Sequence, residues 1–102
     1  MSIEKKYLKT KPLCKVKFSL YDEDYNNAES IFVVGEFNDW NPQAAPLKKS
    51  KNGIWSATMD LPTGKEYQFR YFINGHRWEN DPEPEKVVHS GIGDSVNSVI
   101  IL

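Results

Sequence analysis

The chain has 102 residues, 39% apolar and 13% aromatic, with thirteen basic residues against fourteen acidic ones and a formal net charge of −1. That length and composition give one globular domain able to build its own core. The near balance of charge excludes a partner held mainly by long-range electrostatics, so neither nucleic acid nor an anionic membrane is expected. The one cysteine, Cys14, cannot form an intramolecular disulfide, and no run resembles a signal-peptide core or a membrane span. A soluble cytoplasmic protein follows as the expectation.

Residues 1–12 are lysine-rich without periodicity and end in Lys11-Pro12, which reads as a flexible lead-in to a single domain over residues 13–102. From Leu13 to Leu20, Cys14, Val16, Phe18 and Leu20 alternate with Lys15, Lys17 and Ser19, the period-two pattern of a half-buried strand. Asp22 to Glu29 is an acidic turn, and its carboxylates lack the spacing and glycine of a calcium loop. Ile31 to Val34 reads as a buried strand ended by Gly35, and the polar run to Asn41-Pro42 strands Trp40 in a loop. Asn52-Gly53 predicts a hairpin with a type I′ turn. After it, Trp55, Ala57, Met59 and Leu61 share one strand face, which makes Trp55 a core residue.

Pro62-Thr63-Gly64 ends that strand, and in the next one Tyr67, Phe69, Tyr71 and Ile73 face inward while Gln68, Arg70 and Phe72 face outward. Asn74-Gly75 makes a second hairpin, followed by Trp78 and the proline-punctuated stretch Asn80 to Pro84. Ser90 to Asp94 reads as a glycine-rich loop and Val96 to Leu102 as a last strand. No segment has useful helical periodicity. The expected fold is all-β, an immunoglobulin-like antiparallel β-sandwich of about seven strands.

The ordered set Gly35-Glu36-Phe37-Asn38-Asp39-Trp40-Asn41-Pro42, Pro46-Leu47, Asn52-Gly53-Ile54-Trp55, Asp60-Leu61-Pro62-Thr63-Gly64, Tyr67 to Gly75, Trp78, Asp81-Pro82 and Val96 to Ile100 resembles the family 48 carbohydrate-binding modules. These are the isoamylase N-terminal, or early set, domains, which include the glycogen-binding domain of the AMP-activated kinase β subunit. The resemblance implies a non-catalytic module that binds α-1,4-linked glucans, whether polysaccharide or oligosaccharide, and brings itself or a glycogen-metabolising enzyme to them. It implies stacking tryptophans at Trp40 and Trp78, a basic residue at Arg70, an asparagine at Asn97 and a loop aliphatic at Ile92. Kinase-type domains carry lysine at the place of Arg70, and the turn leading to Trp78 is one residue longer here.

These side chains suit a sugar on chemical grounds also. A pyranose has apolar C–H faces and a hydroxyl edge, so its binder combines flat aromatic platforms with groups that donate and accept hydrogen bonds. Arg70 faces outward if Tyr67, Phe69, Tyr71 and Ile73 are core, whereas alternation alone does not expose Asn97, which shares its face with Val99 and Ile101. Bland roles stand beside these: rim covers for Trp40 and Trp78, an ion pair with a neighbouring acid for Arg70, a bulge or cap for Asn97. A protein-interaction module on the same sandwich, its sugar site decayed, is the alternative, and retention of both tryptophans with Asn97 favours sugar binding. The lysine-rich start, Lys5 to Lys17, is offset by acids elsewhere, and His76 and His89, the latter in a polar loop, lack metal-ligand spacing. No cofactor, metal or catalytic residue is expected, since the acids from Glu79 to Glu85 fall in a solvated loop rather than a cleft. The opening Met1 with its lysine-rich leader reads as the start of a complete small protein.

Overall fold

The computed structural model describes residues 2–25, 28–91, 93 and 95–102. Among them lie nine strands: β1 Ile3–Tyr7, β2 Leu13–Tyr21, β3 Ile31–Gly35, β4 Lys48–Lys49, β5 Ile54–Pro62, β6 Glu66–Ile73, β7 Arg77–Glu79, β8 Lys86–His89 and β9 Val96–Ile101. One antiparallel sheet runs β1-β2-β5-β4; the other runs β3-β6-β9-β8, with β7 also paired to β6. The two form an immunoglobulin-like β-sandwich. The described residues contain no α-helix, only 3-10 turns at Asp22–Tyr25 and Glu36–Asn38, and no helix long and apolar enough to cross a membrane.

The alternating faces read from the sequence meet between the sheets. Val16, Phe18 and Leu20 of β2 and Trp55 and Leu61 of β5 pack against Tyr67, Phe69, Tyr71 and Ile73 of β6 and Ile31 and Val33 of β3. Phe18 sits centrally, its ring 5.4 Å from Phe69 and 6.5 Å from Tyr71, both edge-on. Trp55 is a core residue whose indole N–H donates to the buried Asp22 carboxylate at 2.9 Å.

Three local readings are corrected. Residues 3–7 are not a loose lead-in: β1 pairs with β2 in the register Ile3 to Phe18, and buries Ile3 in the core. The lysines hid this strand because only Ile3 supplies an inward apolar contact, yet the outer edge of β2 offers unpaired backbone groups that a neighbouring extended segment can satisfy. In the first hairpin only Gly53 of the Asn52-Gly53 pair takes a positive φ, 75°; Ser50 N donates to Ile54 O at 2.8 Å and Gly53 N to Ser50 O at 3.1 Å, so the turn is wider than type I′. His89, read in a polar loop, ends β8, which pairs along β9.

The open edge of β3 is covered where Val33 N donates to Ala45 O at 3.0 Å and Leu47 N to Ile31 O at 2.8 Å. A buried polar cluster ties the chain together at Asp81. Its carboxylate accepts the Ser2 hydroxyl, the Tyr71 hydroxyl at 2.9 Å and the Glu83 N–H at 2.8 Å, while its own N–H donates to Ser98 Oγ at 2.9 Å. Burial, followed by the charge of Asp81, pushes the Tyr71 phenol well up; burial with Asp81, Glu79 and Asp24 pushes Tyr25 up to about 12.

Candidate functional site

The site begins where β3 ends. Gly35 lies so close to β6 that a Cβ there would meet the Gln68 carbonyl oxygen at 2.5 Å and Phe69 Cβ at 2.7 Å. Next to it the Glu36 carboxylate accepts the Gln68 backbone N–H at 2.7 Å, supplying a partner just where the strand has turned away. Asn38 folds back, accepting the Gly35 N–H and donating to Val33 O, each at 3.1 Å, while Trp40 N donates to Gly35 O at 2.9 Å. Asp39 and Trp40 take positive φ, 55° and 57°. Two successive left-handed residues, one of them a tryptophan, hold strain of roughly 1–3 kcal/mol each, which persists because Asn38 and the backbone bonds fix the loop. The result is an indole projected from the sandwich, 38% exposed.

The outer face of the second sheet supplies the rest. The register that pairs Gln68 with Val99 and Phe69 with Ser98 brings Arg70 opposite Asn97. Arg70 Nε donates to Asn97 Oδ1 at 2.5 Å, and Asn97 Nδ2 donates to Gln68 Oε1 at 3.0 Å. Arg70 therefore leans on an amide rather than on a carboxylate. Asn97 does share its face with Val99, as alternation required, but that face is the outer one; Ser98 and Ile100 alternate with it, and Ile100 joins the core. Asn97 is nonetheless only 7% exposed, covered by its neighbours.

Trp78 reaches the same face from β7, opposite Phe72, with ring centroids 4.4 Å apart at 35° and the indole 44% exposed. The longer turn still lets β7 pair with β6, because Asn74 and Gly75 both take positive φ, 55° and 74°, and His76 N donates to Ile73 O at 3.2 Å. Phe72 thus backs the platform, a role that its place among outward residues did not suggest.

Trp40, Arg70, Trp78 and Asn97 together line one open cavity of about 460 Å³. Glu36, Gln68, Ser90 and Ser95, which sequence reasoning missed, complete its wall. Gln68 could have been found, being two residues from Arg70 on an alternating strand; Glu36 could not, since its contact to β6 depends on tertiary approach. Ile92 lies outside the described residues. A larger hollow of about 560 Å³, beside Ser2, Ile3 and Glu85, contains no aromatic side chain and is spanned by the Lys5–Glu85 ion pair. Among the described residues no cluster of His, Cys, Asp or Glu could hold a metal ion. The cavity offers flat apolar faces at two walls and donors and acceptors between them, the requirements of a ring with C–H faces and a hydroxyl rim.

Residues 6–88 match the model of carbohydrate-binding module 48, the isoamylase N-terminal domain. The chain belongs to this family. The module is similar to the 5'-AMP-activated protein kinase subunit beta-1 of Bos taurus, 40% identical over 72 residues, which is 71% of this chain and 24% of that protein. It is also similar to Protein PTST homolog 2, chloroplastic, of Arabidopsis thaliana, 33% identical over 57 residues, 56% of this chain and 10% of that one. The 1,4-alpha-glucan branching enzyme of Photobacterium profundum is 34% identical over 59 residues, 57% of this chain and 8% of the enzyme. The chain thus spans a quarter or less of the length of these relatives, and the family is one of binding modules without catalysis of their own.

Proposed function

We propose that this module binds α-1,4-linked glucans, glycogen or starch in type, across Trp40 and Trp78, with Arg70 and Asn97 meeting the hydroxyl edge. The observation that carries the reading is the convergence of two exposed indoles, one from the loop after β3 and one from β7, on one open cavity also lined by the Arg70–Asn97 pair. Two platforms on separate segments suit the curvature of an α-1,4 chain better than a flat β-1,4 chain. The names of relatives support it: a glucan branching enzyme carries a segment similar to this one. The module acts in the cytoplasm, its buried Cys14 a thiol, and brings itself or a partner enzyme of glucan metabolism to the polymer. An open, solvated platform gains little per atom, so affinity falls in roughly the micromolar-to-millimolar range.

The test is a titration with maltoheptaose and β-cyclodextrin, followed by tryptophan fluorescence or amide NMR shifts, with cellohexaose as control. Saturable binding to the α-glucans that Trp40→Ala or Trp78→Ala abolishes, both variants staying folded, supports the reading. No response at millimolar glucan refutes it.

A further inference from the structure

The polar wall of the cavity has a fixed hydrogen-bond sense. Arg70 Nε donates to Asn97 Oδ1 at 2.5 Å, which turns the Asn97 amide nitrogen toward Gln68, where it donates to Oε1 at 3.0 Å. The Gln68 side-chain carbonyl thereby already accepts one hydrogen bond, which points its NH₂ group the other way and makes that group the donor it offers a ligand. Glu36 has the opposite sense. One of its oxygens accepts the Gln68 backbone N–H at 2.7 Å, and an ionised carboxylate can only accept. That bond also pins an otherwise exposed, rotamer-rich side chain at the cavity wall, so less entropy is lost when a ligand engages it.

Resting on the glucan reading above, we infer that Glu36 and Gln68 are specificity residues that read a pair of adjacent free hydroxyls, one accepting from Gln68 and Arg70, the other donating to Glu36. A hydroxyl can serve in either place because it both donates and accepts. An ether oxygen in the second place has no proton for Glu36 and leaves the carboxylate facing a lone pair. A phosphate or carboxylate there meets like charge. The ligand class is a neutral glucan with free hydroxyls along that edge, selected against O-alkylated and anionic glucans.

The experiment compares native and O-methylated β-cyclodextrin by calorimetry, on the unaltered protein and on Glu36→Gln. The substituted carboxamide can still accept the Gln68 N–H through its oxygen, and it presents an N–H to the ligand, which suits an ether. The unaltered protein should bind the methylated ring about tenfold more weakly than the native one, the usual scale of one charge-assisted hydrogen bond. Glu36→Gln should lose about tenfold for the native ring while its discrimination between the two falls below about threefold. A merely structural Glu36 would lower both affinities together, and unchanged discrimination in Glu36→Gln overturns the inference while leaving the glucan reading intact. Failure of the unaltered protein to bind native β-cyclodextrin overturns both. The Gln68 amide resonance and the unfolding midpoint report that the variant keeps its fold.

Discussion

Gly35→Ala is the substitution whose effect follows most directly from the geometry. The new methyl would lie 2.5 Å from the Gln68 carbonyl oxygen, 2.7 Å from Phe69 Cβ and 3.0 Å from Phe69 Cα, up to about 0.9 Å inside the 3.4 Å at which ordinary contact begins. Gly35 has φ −170° and ψ −168°, extended backbone that alanine adopts freely, so the effect is steric rather than conformational. None of the three atoms is the tip of a flexible side chain, and relief requires β3 and β6 to move apart. Overpacking of this kind costs about 1–3 kcal/mol, and stretching the Glu36–Gln68 bond adds about 1 kcal/mol. A loss of about 2–4 kcal/mol lowers the midpoint of a domain this size by at least about 10 °C. Because β6 carries Arg70 and the loop after Gly35 carries Trp40, β-cyclodextrin affinity should fall even at temperatures where the variant is folded. Gly64→Ala is the control: φ there is 81° with nothing within 4 Å of a new Cβ, so it should cost about 1–2 kcal/mol through backbone strain and leave binding unchanged. Urea unfolding and glucan titration of both decide the matter. A Gly35→Ala protein within about 0.5 kcal/mol of the parent would refute the close-approach argument.

Asn38→Ala removes two hydrogen bonds that hold the Trp40 loop, to Gly35 N and Val33 O; it should cost about 1–2 kcal/mol in urea unfolding and weaken glucan binding several-fold, since the indole must then be ordered by the ligand. Asp81→Ala leaves the Tyr71 hydroxyl and the Glu83 N–H without their acceptor in a site where Asp81 is 4% exposed, and should lower stability by about 3–5 kcal/mol by the same measurement. Alkaline stability carries a third signature. Tyr25 is held protonated up to about 12, so above pH 10 the folded chain binds more protons than the unfolded one and stability falls with pH, by about 2–3 kcal/mol in total through pH 12 from this group, with nothing lost below pH 10. Tyr25→Phe should flatten that decline in urea melts taken from pH 8 to 11; an unchanged slope would remove Tyr25 from the account.

The strands legible in the sequence announced themselves in two ways: β3 and β9 as short apolar runs, and the longest three by showing both faces. β2, β5 and β6 alternate over eight or nine residues, long enough for period two to stand out. β1 and β8 stayed hidden because each lies at a sheet edge, where burial is one-sided and lysine is tolerated, so their pairing is decided by the neighbour and not by their own pattern. Trp40, Arg70 and Trp78 could be singled out as exposed groups of the right chemistry. Their convergence rests on how far β7 pairs and on the close approach at Gly35, neither of which a one-dimensional pattern contains. Asn97 shows the limit best: alternation correctly joined it to Val99, but only the register against Gln68 reveals that this shared face looks outward.

The distribution of strain bears on why the site is built from fixed parts. A glucan chain offers a binder repeated, weakly held rings, and a platform that had to be ordered at each encounter would spend much of that small gain on its own entropy. Here the ordering is completed during folding. The left-handed Asp39–Trp40 pair is held by Asn38, Gly35 and the backbone; Trp78 is backed by Phe72; and Arg70 is steadied by Asn97, itself fixed to Gln68. Each ligand-facing group therefore has a neighbour that is less exposed than itself and belongs to a strand or its immediate exit. The disposition predicts that substitutions one step behind the cavity, at Phe72 or Asn38, weaken glucan binding without touching the sugar. A Phe72→Ala protein that stays folded and binds β-cyclodextrin as tightly as the parent would show that the platforms are ordered by the ligand instead.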